Sequence, residues 1–137
     1  MIEYNYQKEF EFGDKNAVSN WISDTIAAES HKEDAINYIF CDDSYLLELN
    51  VKHLKHNTLT DIITFNYNLG KVISADIFIS IDRIIENANK FEVTFNDELH
   101  RVMIHGILHL CGYKDNTEDE KALMRKKEDY YLSLRAF

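Results

Sequence analysis

The sequence contains no proline and only four glycines, Gly13, Gly70, Gly106 and Gly112. No internal repeat, low-complexity tract or linker-like stretch interrupts it, so nothing marks a domain boundary. Two cysteines, Cys41 and Cys111, are too few for a disulfide framework. Apolar runs are only a few residues long, far short of the ~20 that a membrane span requires. The opening Met-Ile-Glu-Tyr-Asn-Tyr has neither a basic start nor the apolar stretch of a signal peptide, as expected of a cytoplasmic chain. Positive charge is scarce as well. Against 24 Asp and Glu there are 15 Lys and Arg, a net charge of −9, which argues against gripping nucleic acid by bulk charge. The deficit is uneven: residues 1–70 carry 5 basic and 12 acidic residues, residues 71–137 carry 10 and 12. A polyanion would meet less repulsion on the second half.

What is present suits one domain over residues 1–137. Apolar residues make up 45% and charged residues 28%, a balance that rules out a disordered chain. From Ile2 to Phe12 the even positions are Ile, Tyr, Tyr, Lys, Phe, Phe and the odd ones Glu, Asn or Gln, which predicts a strand with one face on the core. Val18, Trp21, Ile22, Thr25 and Ile26 predict a helix near 15–30. Ala35–Phe40 reads as a second strand, and Asp42 or Ser44 as the cap of a helix with Leu46, Leu47, Asn50 and Leu54 on one side. Strands at 61–65 and 73–79 flank a turn at Gly70. Ile84, Ile85, Ala88 and Phe91 mark a helix around 82–91. Thr94 caps a largely apolar, buried helix over 95–111, and Gly112 stops it. Thr117-Glu-Asp-Glu120 reads as a capping box opening a last helix with Leu123, Lys127, Tyr130 and Leu134 along one side. About four strands followed by about five helices make an α+β fold, a small mixed sheet packed with helices.

Chemistry concentrates in His105-Gly-Ile-Leu-His109-Leu-Cys-Gly112-Tyr-Lys-Asp115. Four residues apart on a helix, the two imidazoles project from the same side and can share one divalent ion at the ~2.0–2.1 Å zinc–nitrogen distance. Gly112 permits a sharp reversal, after which Asp115 can offer a carboxylate oxygen. Two His and one carboxylate leave a fourth position open, as in catalytic sites. His100 lies ~180° from His109 on the wheel and is excluded as a ligand. Cys111 reads as a small core residue. Gly106 stands where zinc proteases of the His-Glu-x-x-His type carry their general base, which weighs against that mechanism. The eight Tyr and eight Phe read as core rather than as a base-stacking platform.

The run His105 to Tyr113 resembles the signature of the YbeY family, His-Gly-x-Leu-His-Leu-x-Gly-Tyr-Asp-His. Leu49-Asn50, Thr60-Asp61-Ile62-Ile63-Thr64-Phe65, Ala75-Asp76-Ile77, Glu120 and Met124 are similar to further family positions in the same order. The resemblance implies a zincin-like fold and a metal-dependent, single-strand-specific endoribonuclease acting in rRNA maturation and ribosome assembly. It implies one zinc per chain, and as partners rRNA or ribosomal particles together with ribosomal or GTPase assembly proteins. Carried onto this sequence, the ligands and catalytic residues are His105, His109 and Asp115. Asp115 replaces the family's third His, so the site carries one positive charge less and accepts other divalent ions more readily. Leu54 stands where the family has a substrate-positioning Arg; Lys52, His53, Lys55 and His56 beside it can supply positive charge. Asp76 is expected either to face solvent or to orient a ligand imidazole. Two alternatives stay open: a hydrolase of another ester or amide, and a non-catalytic assembly factor with a structural zinc.

Overall fold

The computed structural model describes residues 1–55 and 58–137. Its order is β1 (Ile2–Tyr6), α1 (Lys15–Ala28), β2 (Lys32–Cys41), α2 (Asp43–Leu54), β3 (Ile62–Asn66), β4 (Val72–Ser80), α3 (Ile81–Phe91), α4 (Phe95–Leu110) and α5 (Glu118–Ser133). The strands form one mixed sheet in the order β1-β2-β4-β3. β1 and β4 both run parallel to β2, and β3 pairs antiparallel to β4. This is the α+β architecture of four strands and five helices that the residue pattern predicts.

One face of the sheet builds the main core. Ile36, Tyr38 and Phe40 of β2 stand beside Ala75, Ile77 and Ile79 of β4 in register, and all six are buried. α4 lies against this face, and the Tyr38 hydroxyl donates to the Met103 carbonyl at 3.1 Å, satisfying the one polar atom of a buried ring. Each fully buried Ile or Leu contributes about 1.5–3 kcal/mol of transfer free energy, so this layer fixes α4 rigidly. The other face is covered by α2 through Leu46, packed with Cys41, Ile63 and Phe78.

Three expectations need correction. The alternation from Ile2 to Phe12 persists, with Phe12 buried, but strand pairing stops at Tyr6. Gln7 and Lys8 both donate to the Phe40 carbonyl, close to where β2 ends, so the rest of the segment has no ladder to join. On α2, Leu46 and Asn50 are buried but Leu54 is exposed at the helix end. On α5 the buried stripe is Met124, Glu128 and Tyr131, while Leu123, Tyr130 and Leu134 are exposed. That stripe is rotated one residue, about 100°, from the apolar reading. Met124 and Tyr131 join the main core on that side, and Glu128 between them is accommodated by its pairs with His105 and Arg101 on α4.

Candidate active site

α4 begins where predicted: Thr94 Oγ1 accepts from the Asp97 N–H at 3.1 Å. Its end is a paired C-cap. Gly112, at φ +106°, adopts a conformation that a side chain would strain. The Gly112 N–H donates to the His109 carbonyl at 3.0 Å and the Tyr113 N–H to the Leu108 carbonyl at 3.1 Å. This reversal returns the chain along the helix. The Tyr113 carbonyl meets His109 Nδ1 at 3.0 Å, and the Asp115 carboxylate comes to 3.9 Å from His105 Nε2.

His105 is held from its other nitrogen by Glu128, Nδ1 to Oε2 at 2.7 Å. The second oxygen of Glu128 accepts from Arg101 Nη1 at 2.9 Å, and Arg101 Nη2 reaches Asp129 at 2.7 Å. Burial opposes protonation of His105, but the adjacent Glu128 outweighs it and raises the imidazole pKa. A carbonyl and a carboxylate can only accept, so both His109 and His105 donate their Nδ1–H, and Nε2 is the nitrogen left without that partner. That donor chemistry fits a divalent ion. Two ligands on one tetrahedral ion at about 2.0–2.1 Å stand roughly 3.3 Å apart, so a small side-chain rotation would bring His105 and Asp115 to that spacing. His109 is exposed one turn further on. Among the described residues, no three His, Cys, Asp or Glu side chains are gathered at metal-holding separations.

His105 and Asp115 line a cleft of about 280 Å³ between α4, α5, the start of β3 and the end of α3. Its carboxylates are Asp61, Glu98, Asp115 and Glu128, and its cationic side chains Arg101 and Arg125. Burial pushes up the carboxyl pKa of Asp61, which His105 partly opposes. Burial also raises that of Glu98, with Asp61 adding to the effect. The cleft is therefore an acid-rich, partly desolvated place where a cation is welcome and a bare phosphate is not.

Sequence reasoning misses Glu98, Arg101 and Glu128, and it picks out Asp61 only as part of the Thr60–Phe65 run, without a place in the site. Two of them carried a readable signal: Glu98 is a buried charge within an apolar helix, and Glu128 interrupts the Met124–Tyr131 stripe at helical spacing. Other residues singled out by sequence sit elsewhere. Asp76 lies on the sheet face away from α4, where the Asn37 amide (3.1 Å) and the Tyr67 hydroxyl (3.4 Å) donate to it, so it orients no imidazole. Leu54 is not on the cleft wall, and neither are Lys52, His53 and Lys55; His56 lies outside the described residues. Gly106 faces the sheet, where a Cβ would stand 3.0 Å from the Ile62 terminal methyl and 3.6 Å from Ile77. A side chain at 106 would thus be aimed at the core, not at the cleft. Burial pushes the Cys111 thiol up to about 12, which keeps it protonated.

A carboxylate remote in sequence braces the turn. Glu29, at the end of α1, accepts from the Tyr113 hydroxyl at 2.6 Å, from Lys127 Nζ at 3.3 Å and from the Tyr131 hydroxyl. Burial works against its ionisation, yet these three donors prevail and hold its pKa below the usual range. Glu29 thereby ties the segment carrying Asp115 to α1 and α5.

Against known proteins, a family model described as Endoribonuclease YbeY matches residues 2–135. The Endoribonuclease YbeY of Flavobacterium psychrophilum is 54% identical over 134 residues, covering 98% of this chain and 96% of the relative. That of Karelsulcia muelleri is 48% identical over 132 residues, covering 96% and 94%. Among solved structures, the solution structure of TM1509 from Thermotoga maritima superposes with a TM-score of 0.70 at 27% identity, covering 97% of this chain and 87% of that one.

Proposed function

The chain belongs to the endoribonuclease YbeY family, and from that premise we propose that it is a metal-dependent endoribonuclease cutting single-stranded RNA during rRNA maturation and ribosome assembly. The observation that carries the metal-dependent part is the shared state of the two histidines. Each commits Nδ1 to an acceptor and presents Nε2, with Asp115 beside one of them.

His105, His109 and Asp115 would hold a divalent ion, zinc foremost, and such an ion supplies Lewis-acid charge at phosphoryl oxygens and an activated water near neutral pH. Electrostatics supports the requirement. Four carboxylates face two arginines, one of which is already paired twice, so a phosphodiester meets net repulsion unless a cation is added. The chain's own residues do the positioning. Glu128 fixes the His105 ring and its tautomer, Arg101 anchors Glu128, and the Tyr113 carbonyl does the same for His109. Gly106 leaves the helix without the base that zinc proteases use, which favours a nuclease over a peptidase.

Among the described residues no helix is long and apolar enough to cross a membrane. With a net charge of −9, selection of RNA by bulk attraction is disfavoured. A substrate presented by a ribosomal particle and its assembly proteins in the cytoplasm fits better. The test is cleavage of a labelled single-stranded oligoribonucleotide by the purified chain. We expect His105→Ala and His109→Ala to lower the rate at least a hundredfold, and a chelator to abolish activity that zinc restores. Full activity in both variants would remove the proposal, and loss of fold without any wild-type cleavage would favour a structural zinc.

A further inference from the structure

α3 carries a departure from its own pattern. Ile84, Ala88 and Phe91 fall on one helical stripe, and the first two are buried as that spacing requires. Phe91 is 54% exposed, the last residue of the helix before Glu92 turns left-handed. A solitary exposed phenyl carries no meaning by itself. Its location does: the ring lies on the wall of the polar cleft that also holds His105, with Asn87 one turn earlier on the same helix.

The same cleft carries an uncommitted cation. Arg101 is paired with Glu128 and Asp129. Arg125, exposed on α5, lines the cleft and makes no ion pair among the described residues. The cleft thus offers the Phe91 ring, one face of which has the Lys90 ammonium 5.7 Å from its centroid and the other of which can take a base, an amide with both a donor and an acceptor, and a guanidinium suited to a phosphate. At about 280 Å³ it is at the lower end of ligand pockets, about 300 Å³. That admits one nucleotide of a single strand.

We infer that Phe91, Asn87 and Arg125 form a nucleotide subsite: a base stacks on the Phe91 ring, its edge meets the Asn87 amide, and the exposed Arg125 offsets the repulsion that the cleft's carboxylates exert on a neighbouring phosphate. The inference rests on the RNA-cleaving function proposed above and adds how the substrate is gripped. Stacking is tolerant of base identity, so the subsite prefers unpaired nucleotides over any particular sequence. A base within a duplex has its faces covered by neighbours and is refused.

Binding of a fluorescent single-stranded oligoribonucleotide and of a ribose-phosphate chain of the same length without bases separates the parts. Phe91→Ala is expected to weaken the oligonucleotide about tenfold, to leave the base-free chain unchanged, and to keep the salt dependence of wild type. Phe91→Trp restores binding. Arg125→Ala is expected to weaken both probes and to reduce the slope of log K against log salt by about 0.7, with Arg125→Lys recovering most of it. Both residues are exposed, so thermal melting should show the variants folded. Phe91→Ala binding within twofold of wild type, equal loss on both probes, or an unchanged salt slope in Arg125→Ala would overturn the subsite. A wild-type chain that neither binds nor cuts the oligonucleotide would instead sink the RNA reading and this inference with it.

Discussion

His100 and His105 lie five residues apart on α4 and are put to opposite uses. His100 is buried between Trp21 and Phe137, and its Nδ1 meets Arg135 Nη1 at 2.7 Å. A guanidinium can only donate, so His100 accepts there and is neutral; burial first, and Arg135 second, lower its pKa to about 4. His105 faces the cleft, and its Nδ1 meets a carboxylate that can only accept, so it donates there and its pKa is raised. One helix and one residue type yield a locked structural group and a cleft-facing imidazole paired with a carboxylate. What separates them is whether the partner at Nδ1 donates or accepts, and each partner comes from far along the chain.

The largest effect that sharpens this contrast is on acid stability. The unfolded chain binds a proton at His100 near pH 6.5, the folded chain only near 4. Between those values the unfolded state holds more protons, so the contribution of His100 is whole above pH 6.5 and is lost as pH falls towards 4. It amounts to on the order of 3 kcal/mol. Urea midpoints at pH 7 and pH 4 should show His100→Gln losing less stability on acidification than wild type, by that margin. An identical acid loss in both proteins would break the assignment of His100 as a buried neutral group.

Next come the partners. Glu128→Ala should reduce RNA cleavage 10- to 100-fold by freeing the His105 ring, whereas Arg135→Ala should leave cleavage within about twofold. The opposite ranking, measured with the same oligoribonucleotide, would make His100 the functional histidine. The smallest effect is Asp97→Asn. Asp97 pairs with Arg135 at 2.9 Å but is half exposed, so the change should cost less than about 1 kcal/mol in denaturant unfolding and leave cleavage unaltered. A larger loss would mean that charge, rather than burial, holds the His100 side together.

Local features were legible because their causes are local. The Thr94 cap, the Thr117–Glu120 capping box, the Gly112 stop and the one-turn spacing of His105 and His109 each involve residues within five positions of one another. The glycine reversal does bring Asp115 to 3.9 Å from His105, but among the described residues no third metal-ligating side chain is gathered with them. Illegible were the end of β1, which depends on where β2 stops, and the inward face of α5, where Met124 and Tyr131 meet the core and Glu128 meets Arg101 and His105. The brace from Glu29 to Tyr113, 84 residues away, has no sequence pattern at all.

The sequence by itself determined the elements, their caps, and two imidazoles on one side of a buried helix, since periodicity and backbone hydrogen bonding act over a few residues. Only the tertiary structure decided which nitrogen of each histidine is free, which carboxylates line the cleft, and which phenyl ring is left in solvent. Those outcomes depend on side chains brought together from distant parts of the chain, where burial and proton donors, not spacing, set the chemistry.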